Sequence, residues 1–346
     1  MRKEQELKVK VLGLRGSFYQ IGFKQGRQLT KAMPQTFQNK EASNNTQIIL
    51  EKNSSQILEE LNGVAEGLKL PLSTAIGAFS GYDVTFPEMG CSTLVKDSYY
   101  VRNYDFSPEL YDARLVLIQP NEGFASIGFS QHIIGRLDGM NEKGLVIGLH
   151  FVNQAYKQQG FLATTIVRMV LDQCATASEA IQLIKKVPHG YCYNYSITDK
   201  QGNSVIVEAT PQQQEIIHTQ PLSCTNHFET KTLLRKNKKQ LQGSVKRKNY
   251  LQALMKEELT PEEAFYRFNH HDSPLFFQNY KEYFGTLHTV LYSPQDLRVM
   301  IGIGSESNPL AFSFKDWLNG SLSLPNEISG TIVHSKISIF IHASLW

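Results

Sequence analysis

The first ninety residues carry two hydrophobic patterns, one typical of a strand and one typical of a helix. Residues 8–14 alternate between polar and apolar positions, which predicts a β-strand. From residue 46 to residue 70, apolar residues recur at helical spacing and predict one helix that ends before Pro71. Its apolar face consists of Ile57, Leu61, Val64, Ala65 and Leu68. We expect residues 1–90 to pack on the rest of the chain, because a segment of this size has little core of its own.

After residue 91 the chain turns to short apolar runs rich in β-forming residues. Strands are predicted at 113–119, 125–130, 144–152, 193–198, 204–209, 215–219, 287–292 and 297–303. Helical patterns cover 164–187, 231–256 and a segment that opens at Thr260 with Pro261 in its first turn. The capping-box pattern from Thr176 to Glu179 predicts a break within the first of these helices. This order of elements predicts an α+β fold in which two sheets lie between layers of helices.

The tail of the chain, residues 330–346, alternates only weakly. It is predicted either as an edge strand or as a poorly packed appendage. We assign it no function from the sequence.

Composition excludes several classes of protein. The chain has 346 residues, of which 41% are hydrophobic and 19% are charged, as in a globular protein. The net charge of +3 is too small to indicate a nucleic-acid partner, and the basic run 231–248 is interpreted as a solvated surface. The N-terminus has no apolar signal region, and no apolar run reaches the length of a membrane span. We therefore expect a cytoplasmic protein with neither a membrane nor a nucleic acid as its partner.

The four cysteines show no paired spacing. Cys91, Cys174, Cys192 and Cys224 contain no CxxC motif, so neither a disulfide framework nor a redox motif is predicted. A zinc site made of Cys192, Cys224 and His227 has no support in the spacing of these residues. We expect no metal and no other cofactor.

Cys91 stands apart because of its neighbours. A lone cysteine beside β-forming residues is more often a small buried apolar residue than a functional group. Here Gly90 precedes it, 92–95 resemble the start of a strand, and a turn is predicted at 96–98. A hairpin of this kind would bring Arg102 and Asp105 back beside Cys91.

The sequence Gly90-Cys91-Ser92-Thr93, followed by Arg102-Asn103-Tyr104-Asp105, resembles the nucleophile hairpin of a known group of enzymes. These are the choloylglycine hydrolases, the penicillin V acylases and the related isopenicillin N acyltransferase-like peptidases of the Ntn-hydrolase superfamily. The glycine-punctuated stretch from Gly16 to Gly26 resembles the start of an acyltransferase-type pro-segment. The resemblance implies a four-layer αββα sandwich, 91–346, preceded by a mainly helical pro-segment, 1–90. It also implies that the chain cuts itself between Gly90 and Cys91.

Three later patches extend the resemblance. The stretch 137–151 is similar to the bile-salt hydrolase sequence Asp-Gly-x-Asn-Glu-Lys-Gly-Leu, and His150 stands where that group has an oxyanion-hole asparagine. The main-chain N–H near His150 can still serve as a donor there. Cys224-Thr225-Asn226 resembles the segment with the second oxyanion donor, Asn226. Ser244-x-x-Arg247 resembles the start of the helix that carries the last active-site arginine.

The resemblance implies a role for each of these residues. Cys91 is the nucleophile, and after self-cleavage its own α-amine is the base, since amine and thiol then have pKa values near about 8 to 8.5. Arg102 favours the thiolate, Asp105 holds the amine, Asn226 and the main chain near His150 stabilise the oxyanion, and Arg247 orders the Asp105 side of the site.

Several functions remain open at this point. The small-molecule substrate is a linear amide, and the acyl-enzyme is resolved by water in an amidase or by an amine in an acyltransferase. An uncleaved binding or scaffold protein is the alternative from a different class. Residues 1–90 are expected to stay bound as a subunit, and the sequence also leaves room for a homo-oligomer.

Overall fold

The computed structural model describes residues 3–29, 44–85, 87–280 and 284–334. The α-helices among them are α1 Phe18–Gln28, α2 Asn44–Asn53, α3 Ser55–Leu68, α4 Leu72–Phe79, α5 Ala163–Gln173, α6 Ala177–Lys186, α7 Gln242–Leu254, α8 Pro261–Asn269 and α9 Phe314–Leu318. No helix in the described ranges is long and apolar enough to cross a membrane.

The first sheet has ten strands. They are β1 Lys3–Gly16, β4 Arg114–Pro120, β5 Ser126–Gln131, β6 Gly135–Arg136, β7 Asp138–Asn141, β8 Val146–Asn153, β9 Cys192–Thr198, β10 Ser204–Ala209, β11 Gln214–His218 and β17 Glu327–His334. Their order is β11-β10-β9-β8-β7-β5-β4-β1-β17, with β6 beside β5.

The second sheet has seven strands. They are β2 Gly90–Lys96, β3 Tyr99–Phe106, β12 Leu222–Cys224, β13 Gln278–Asn279, β14 Phe284–Ser293, β15 Arg298–Ile303 and β16 Leu310–Ser313. Their order is β12-β2-β3-β14-β15-β16, with β13 beside β14.

The two sheets face each other across the main core and have helices on their outer sides. Cys91, Tyr100 and Tyr104 of the second sheet share this core with Phe129 and Leu149 of the first. On the far side of the second sheet, a separate apolar cluster joins α7 and α8 to β2, β3, β14 and β15. Helix α5 packs against β6, β7 and β8 of the first sheet, and α6 packs against β10. The predicted α+β class and its four αββα layers are therefore confirmed.

The N-terminal ninety residues are woven into this architecture. Strand β1 lies inside the ten-stranded sheet, parallel to β4 and antiparallel to β17. Helices α1 and α3 pack closely, since a Cβ at Gly22 would lie 1.9 Å from the carbonyl oxygen of Glu60. Residues 1–90 thus supply an interior strand as well as a helical layer.

Most predicted elements are confirmed, with two corrections. The helix predicted at 46–70 is two helices, because Ser54 leaves the helical conformation and its hydroxyl caps the N–H of Ile57. Within the helix predicted at 231–256, only α7 is α-helical; Leu234–Lys236 forms a single 3-10 turn. The break at Thr176 and the Pro261 helix start are confirmed, each with a complete capping box. The first part of the tail, up to residue 334, is an edge strand, and 335–346 lie outside the described residues.

Candidate active site

The predicted hairpin is present and sets the geometry of the site. Strands β2 and β3 pair so that Gly90 faces Asp105, Cys91 faces Tyr104 and Thr93 faces Arg102. Because side chains alternate across a strand, Cys91 and Arg102 point into the space between the sheets. Asp105 points to the opposite side, toward helix α7. Arg102 therefore lies on the same face of the sheet as the Cys91 thiol, and Asp105 lies on the other face, beside helix α7.

Arg102 contacts the thiol directly. Its Nη2 donates to Cys91 Sγ at 2.9 Å, and its Nη1 donates to Asp138 Oδ2 at 2.9 Å. All three side chains are completely buried. Burial raises the pKa of the Cys91 thiol to about 12, although the charge of Arg102 opposes that shift. In the uncut chain the thiol is therefore protonated, and Arg102 already stands where it would stabilise a thiolate.

Asp105 is a buried acid whose two carboxyl oxygens have different surroundings. Its Oδ1 accepts a hydrogen bond from Thr286 Oγ1 at 2.7 Å, and its Oδ2 has no hydrogen-bond partner among the described residues. Arg247 Nη1 lies 3.9 Å from Oδ2. Burial raises the pKa of the Asp105 carboxyl to about 6, against the opposing effects of Arg247, Thr286 and Arg102. The group can therefore change its charge near neutral pH.

Asn226 joins the peptide of Cys91 to its surroundings. Its Oδ1 accepts from the Cys91 N–H at 2.9 Å and from Arg247 Nη2 at 2.8 Å. Two donors on one oxygen fix the orientation of the amide. Its Nδ2 consequently points to the carbonyls of Phe151, at 2.8 Å, and Met89, at 3.3 Å. The side-chain NH2 group of Asn226 thus contacts the carbonyl of the residue before Gly90.

Arg247 holds the main chain of the nucleophile. It lies in α7, and its Nη1 donates to the Cys91 carbonyl at 2.6 Å and to Ser92 Oγ at 3.0 Å. Burial lowers the pKa of the Arg247 guanidinium, while Asp105 opposes the shift. The structure therefore brings Arg247 together with Cys91, Asp105 and Asn226, and neither of its lysine neighbours takes that position.

His150 also lies beside the nucleophile. It sits in β8, its ring is next to the Cys91 main chain, and its Nε2 lies 2.9 Å from Ser196 Oγ. Burial, together with the charges of Arg102 and Arg247, holds the pKa of His150 well below its usual range. The ring is therefore neutral, so it can lie beside Arg102 and Arg247 without repulsion between positive charges.

Sequence reasoning missed the residues behind Arg102. Asp138 lies within the patch 137–151 but received no role, and His288 and Tyr292, both in β14, were not considered. Tyr292 donates to Asp138 Oδ1 at 2.8 Å, and His288 Nε2 lies 3.4 Å from Asp138 Oδ2. One signal was present for Asp138: a buried arginine needs an anionic partner, and an acid in an apolar strand is a candidate. No local signal identifies His288 or Tyr292.

The candidate site is closed to solvent. Cys91 has no exposed surface, and two surface cavities, one against α7 and one beside α3, are lined by none of the candidate residues. Residues shortly before Gly90 are held by contacts with distant parts of the chain. Glu88 pairs with Lys238, and the Val84 carbonyl accepts from Tyr191 at 3.0 Å. Because the thiol is completely buried, access to it requires a movement of the surrounding structure.

Cys192, Cys224 and His227 do not form a metal-binding group in the part of the chain that the structure describes. A set of side chains close enough to share an ion there is His270, His271 and Asp272 on the surface. All four cysteines are free and buried.

A family comparison identifies the class. The family model for acyl-coenzyme A:6-aminopenicillanic acid acyl-transferase matches residues 93–308, which is more than half of the chain. The chain therefore belongs to this Ntn-hydrolase family of acyltransferases and amide hydrolases, as its resemblance to the isopenicillin N acyltransferase group predicted. The match begins at residue 93, after Gly90 and Cys91, and includes the later candidate residues Arg102, Asp105, His150, Asn226 and Arg247. No curated protein matches the chain.

Solved structures of related enzymes show limited likeness. A mutant conjugated bile acid hydrolase from Clostridium perfringens aligns at 13% identity and a TM-score of 0.49, over 66% of this chain and 93% of its own. Penicillin V acylase from Agrobacterium tumefaciens aligns at 18% identity and a TM-score of 0.44, over 65% and 86%. An ortholog of N-acylethanolamine-hydrolyzing acid amidase from Caenorhabditis elegans aligns at 10% identity and 0.40, over 59% and 93%.

Proposed function

We propose that this chain is a cysteine N-terminal-nucleophile amidohydrolase that cuts itself at Gly90–Cys91 and then cleaves linear amides through an acyl-thioester on Cys91. The observation that carries the proposal is the contact of Arg102 with Cys91 Sγ, beside a peptide N–H held by Asn226. Each of these groups has a use in acyl transfer, and together they surround one peptide bond. A buried structural cysteine needs none of them.

Self-cleavage is an acyl shift followed by hydrolysis. The Cys91 thiol attacks the Gly90 carbonyl, the bond from that carbonyl to the Cys91 nitrogen breaks, and the thiol proton ends on the released amine. The product is a thioester between Gly90 and Cys91 Sγ. Water then hydrolyses the thioester, leaving a carboxylate on Gly90, a free thiol and a free α-amine on Cys91. Arg102 supports the attack by favouring the thiolate at a sulfur whose pKa is otherwise high.

The processed site would repeat this chemistry on a substrate. The α-amine of Cys91 has an ordinary pKa near about 8 and takes the thiol proton. The thiolate attacks the substrate carbonyl, while Asn226 Nδ2 and a main-chain N–H near His150 donate to the oxyanion. The leaving amine receives the proton, and the acyl group stays on sulfur. Asp105, whose Oδ2 is unsatisfied in the uncut chain, is placed to pair with the new ammonium group, and Arg247 keeps Asp105 and Asn226 in place.

We further propose that residues 1–90 stay bound after the cut. Strand β1 pairs on both sides within the ten-stranded sheet, so its release would expose two strand edges. Glu60 of this segment forms a fully buried ion pair with Arg168 at 2.5 Å. We assign the enzyme to the cytoplasm, because four free thiols suit a reducing compartment.

Water and an amine compete for the acyl-enzyme in this proposal. Penicillin V, N-acyl amino acids, acyl homoserine lactones and β-alanyl amines form a suitable panel of linear amides. Release of the acid alone marks an amidase, whereas a new amide formed on addition of an amine marks an acyltransferase. In both cases the Cys91→Ala variant should show neither hydrolysis of the amide nor transfer of the acyl group to an amine.

One observation favours a second candidate, an uncleaved binding homologue: the thiol is completely buried in the uncut chain. Intact-mass measurement separates the two candidates. Two chains that divide at Gly90–Cys91 support the enzyme, and one stable chain without amidase activity supports the binding protein.

A further inference from the structure

Three donors from the seven-stranded sheet meet on one carboxylate of the ten-stranded sheet. Asp138, in β7, accepts from Arg102 Nη1 at 2.9 Å and from the Tyr292 hydroxyl at 2.8 Å, and the His288 ring approaches its Oδ2 at 3.4 Å. All four side chains are completely buried. The carboxylate therefore links the two sheets directly behind the thiol.

Arg102 uses its two terminal nitrogens for different partners. Nη1 is held by Asp138, while Nη2 faces Cys91 Sγ and the Leu149 carbonyl. The guanidinium crosses the gap between the sheets at Gly148. A Cβ at Gly148 would lie 2.8 Å from Arg102 Nε and 2.1 Å from the Tyr100 hydroxyl. The chain thus leaves space for this crossing, and the guanidinium meets Asp138 on the far side.

His288 supports Asp138 as a neutral ring. Its plane stacks on Phe129 at 3.6 Å between centroids and 9° between planes. The Tyr111 hydroxyl lies 2.9 Å from Nδ1, so Nδ1 accepts from Tyr111 while Nε2–H donates to Asp138. Burial lowers the pKa of His288, which keeps the ring neutral. Burial alone would raise the pKa of Asp138, but its hydrogen bond from His288 and the charge of Arg102 hold it below the usual range.

We propose that Asp138 is a positioning residue for the nucleophile: it fixes Arg102 so that Nη2 contacts Cys91 Sγ, with His288 and Tyr292 holding Asp138 in turn. This inference rests on the proposed self-processing and adds to it. Asp138 touches neither the scissile bond nor the sulfur. Its effect on Cys91 passes through the direction in which Arg102 points.

If Asp138 acted only through its charge, removing it would change the pKa of Cys91 in the opposite direction. As a mere negative charge, Asp138 raises the pKa of the Cys91 thiol, so its removal would favour the thiolate. As a positioning residue, its removal releases Arg102 from the sulfur and disfavours the thiolate. Apart from Arg102 itself, the charged or titratable groups that face Cys91 stay the same in both cases; they are Tyr104, Asp105, His150, Cys224 and Arg247.

The test compares the wild type with Asp138→Asn, which keeps the shape and removes the charge. The first measurement is the fraction of cut chain over time by intact mass. The second is the pH profile of Cys91 alkylation by iodoacetamide in the cut chains, followed on the Cys91 peptide. We expect slower self-cleavage, by roughly 100-fold, as for a misplaced reacting group. We also expect the alkylation midpoint to rise by about one pH unit. A midpoint that falls or stays unchanged overturns the inference.

Two further variants keep the result interpretable. Asp172→Asn is the matched control, because Asp172 is equally buried and pairs with Arg168 at 2.8 Å away from Cys91. It should leave the alkylation midpoint unchanged. If Asp138→Asn does not fold, Tyr292→Phe is the test, because it removes one hydrogen bond to Asp138 and no charge. Self-cleavage that is several-fold slower, with a raised alkylation midpoint, supports the inference. Wild-type values of both overturn it. A wild-type chain that stays uncut contradicts self-processing itself. Wild-type rates of cutting in Asp138→Asn and Tyr292→Phe contradict only the role of Asp138.

Discussion

Gly90 lies opposite Asp105 in the β2–β3 hairpin, so close that a side chain at residue 90 would collide with the carboxylate. A Cβ on Gly90 would come within 2.9 Å of Asp105 Oδ2 and 3.0 Å of the Phe284 ring. The residue before the proposed cut is therefore a glycine for reasons of space, since neighbouring atoms fill the position of its missing side chain. The same closeness puts the unsatisfied oxygen of Asp105 beside the Gly90–Cys91 peptide.

We predict that Gly90→Ala slows self-cleavage and leaves most of the protein as one chain. The added methyl group must displace Asp105 or the hairpin, and a shift of about 1 Å at a reacting centre costs on the order of 100-fold in rate. Intact mass after fixed expression times measures the effect. Gly13→Ala is the control, because the nearest atoms to its Cβ would be those of the Trp317 side chain, at 3.3 Å. Equal cutting in both variants would show that the space around Gly90 is unimportant.

The raised pKa of Asp105 predicts a pH dependence of stability. In the folded uncut chain this pKa is about 6, and in the unfolded chain it is near about 3.9. The contribution of the protonated carboxyl to stability is therefore complete below about pH 4 and is lost as the pH rises through 6. Relative to Cys91→Ala alone, Cys91→Ala with Asp105→Asn should gain unfolding free energy between pH 4 and pH 7. Urea unfolding across that range measures the difference, and a constant difference would contradict the predicted titration.

Asn226 is predicted to be more important for turnover than for folding. Loss of its Nδ2 donor in Asn226→Ala should lower the rate of amide cleavage by about 100- to 1000-fold, the usual cost of removing one oxyanion donor. The rate is measured on whichever amide of the panel is cleaved. Asn141→Ala is a matched control: Asn141 is likewise a buried asparagine, and it donates to the carbonyls of Leu171 and Cys174. A similar loss of rate in both variants would indicate damage to the fold rather than loss of a donor.

The buried pair of Glu60 and Arg168 should stabilise the association of residues 1–90 with the rest. In the uncut Cys91→Ala background, Glu60→Gln leaves Arg168 with only Asp172 as its anion and should lower the free energy of unfolding by about 3 kcal/mol. The exposed pair of Glu257 and Arg267 offers the control, since Glu257→Gln should cost less than about 1 kcal/mol. Urea unfolding measures both. Equal, small effects would mean that the buried pair does not hold the segment.

Local sequence signals predicted the hairpin but not its support. The turn predicted at 96–98 sets the register of β2 and β3, which places Arg102 and Asp105 beside Cys91. The capping residues at Thr176 and Thr260 are equally local, and both were predicted. Ser54 was missed, although a serine three residues before an apolar position is also a capping signal.

Contacts between distant segments were beyond reach of the pattern alone. Asp138 and Tyr292 meet only because the two sheets face each other, and their separation along the chain carries no signal. The length of β1, from Lys3 to Gly16, depends on pairing with β4 and β17 at once. The positions of Asn226 and Arg247 were predicted through family resemblance, because spacing within this chain does not bring either of them to Cys91.

The most direct test of self-processing is the intact mass and N-terminal sequence of the purified protein, measured beside Cys91→Ala. The account predicts two co-purifying chains for the wild type, the larger beginning at Cys91, and one chain of 346 residues for the variant. A wild-type protein that remains one uncut chain, or a Cys91→Ala variant that is still divided before residue 91, would contradict it.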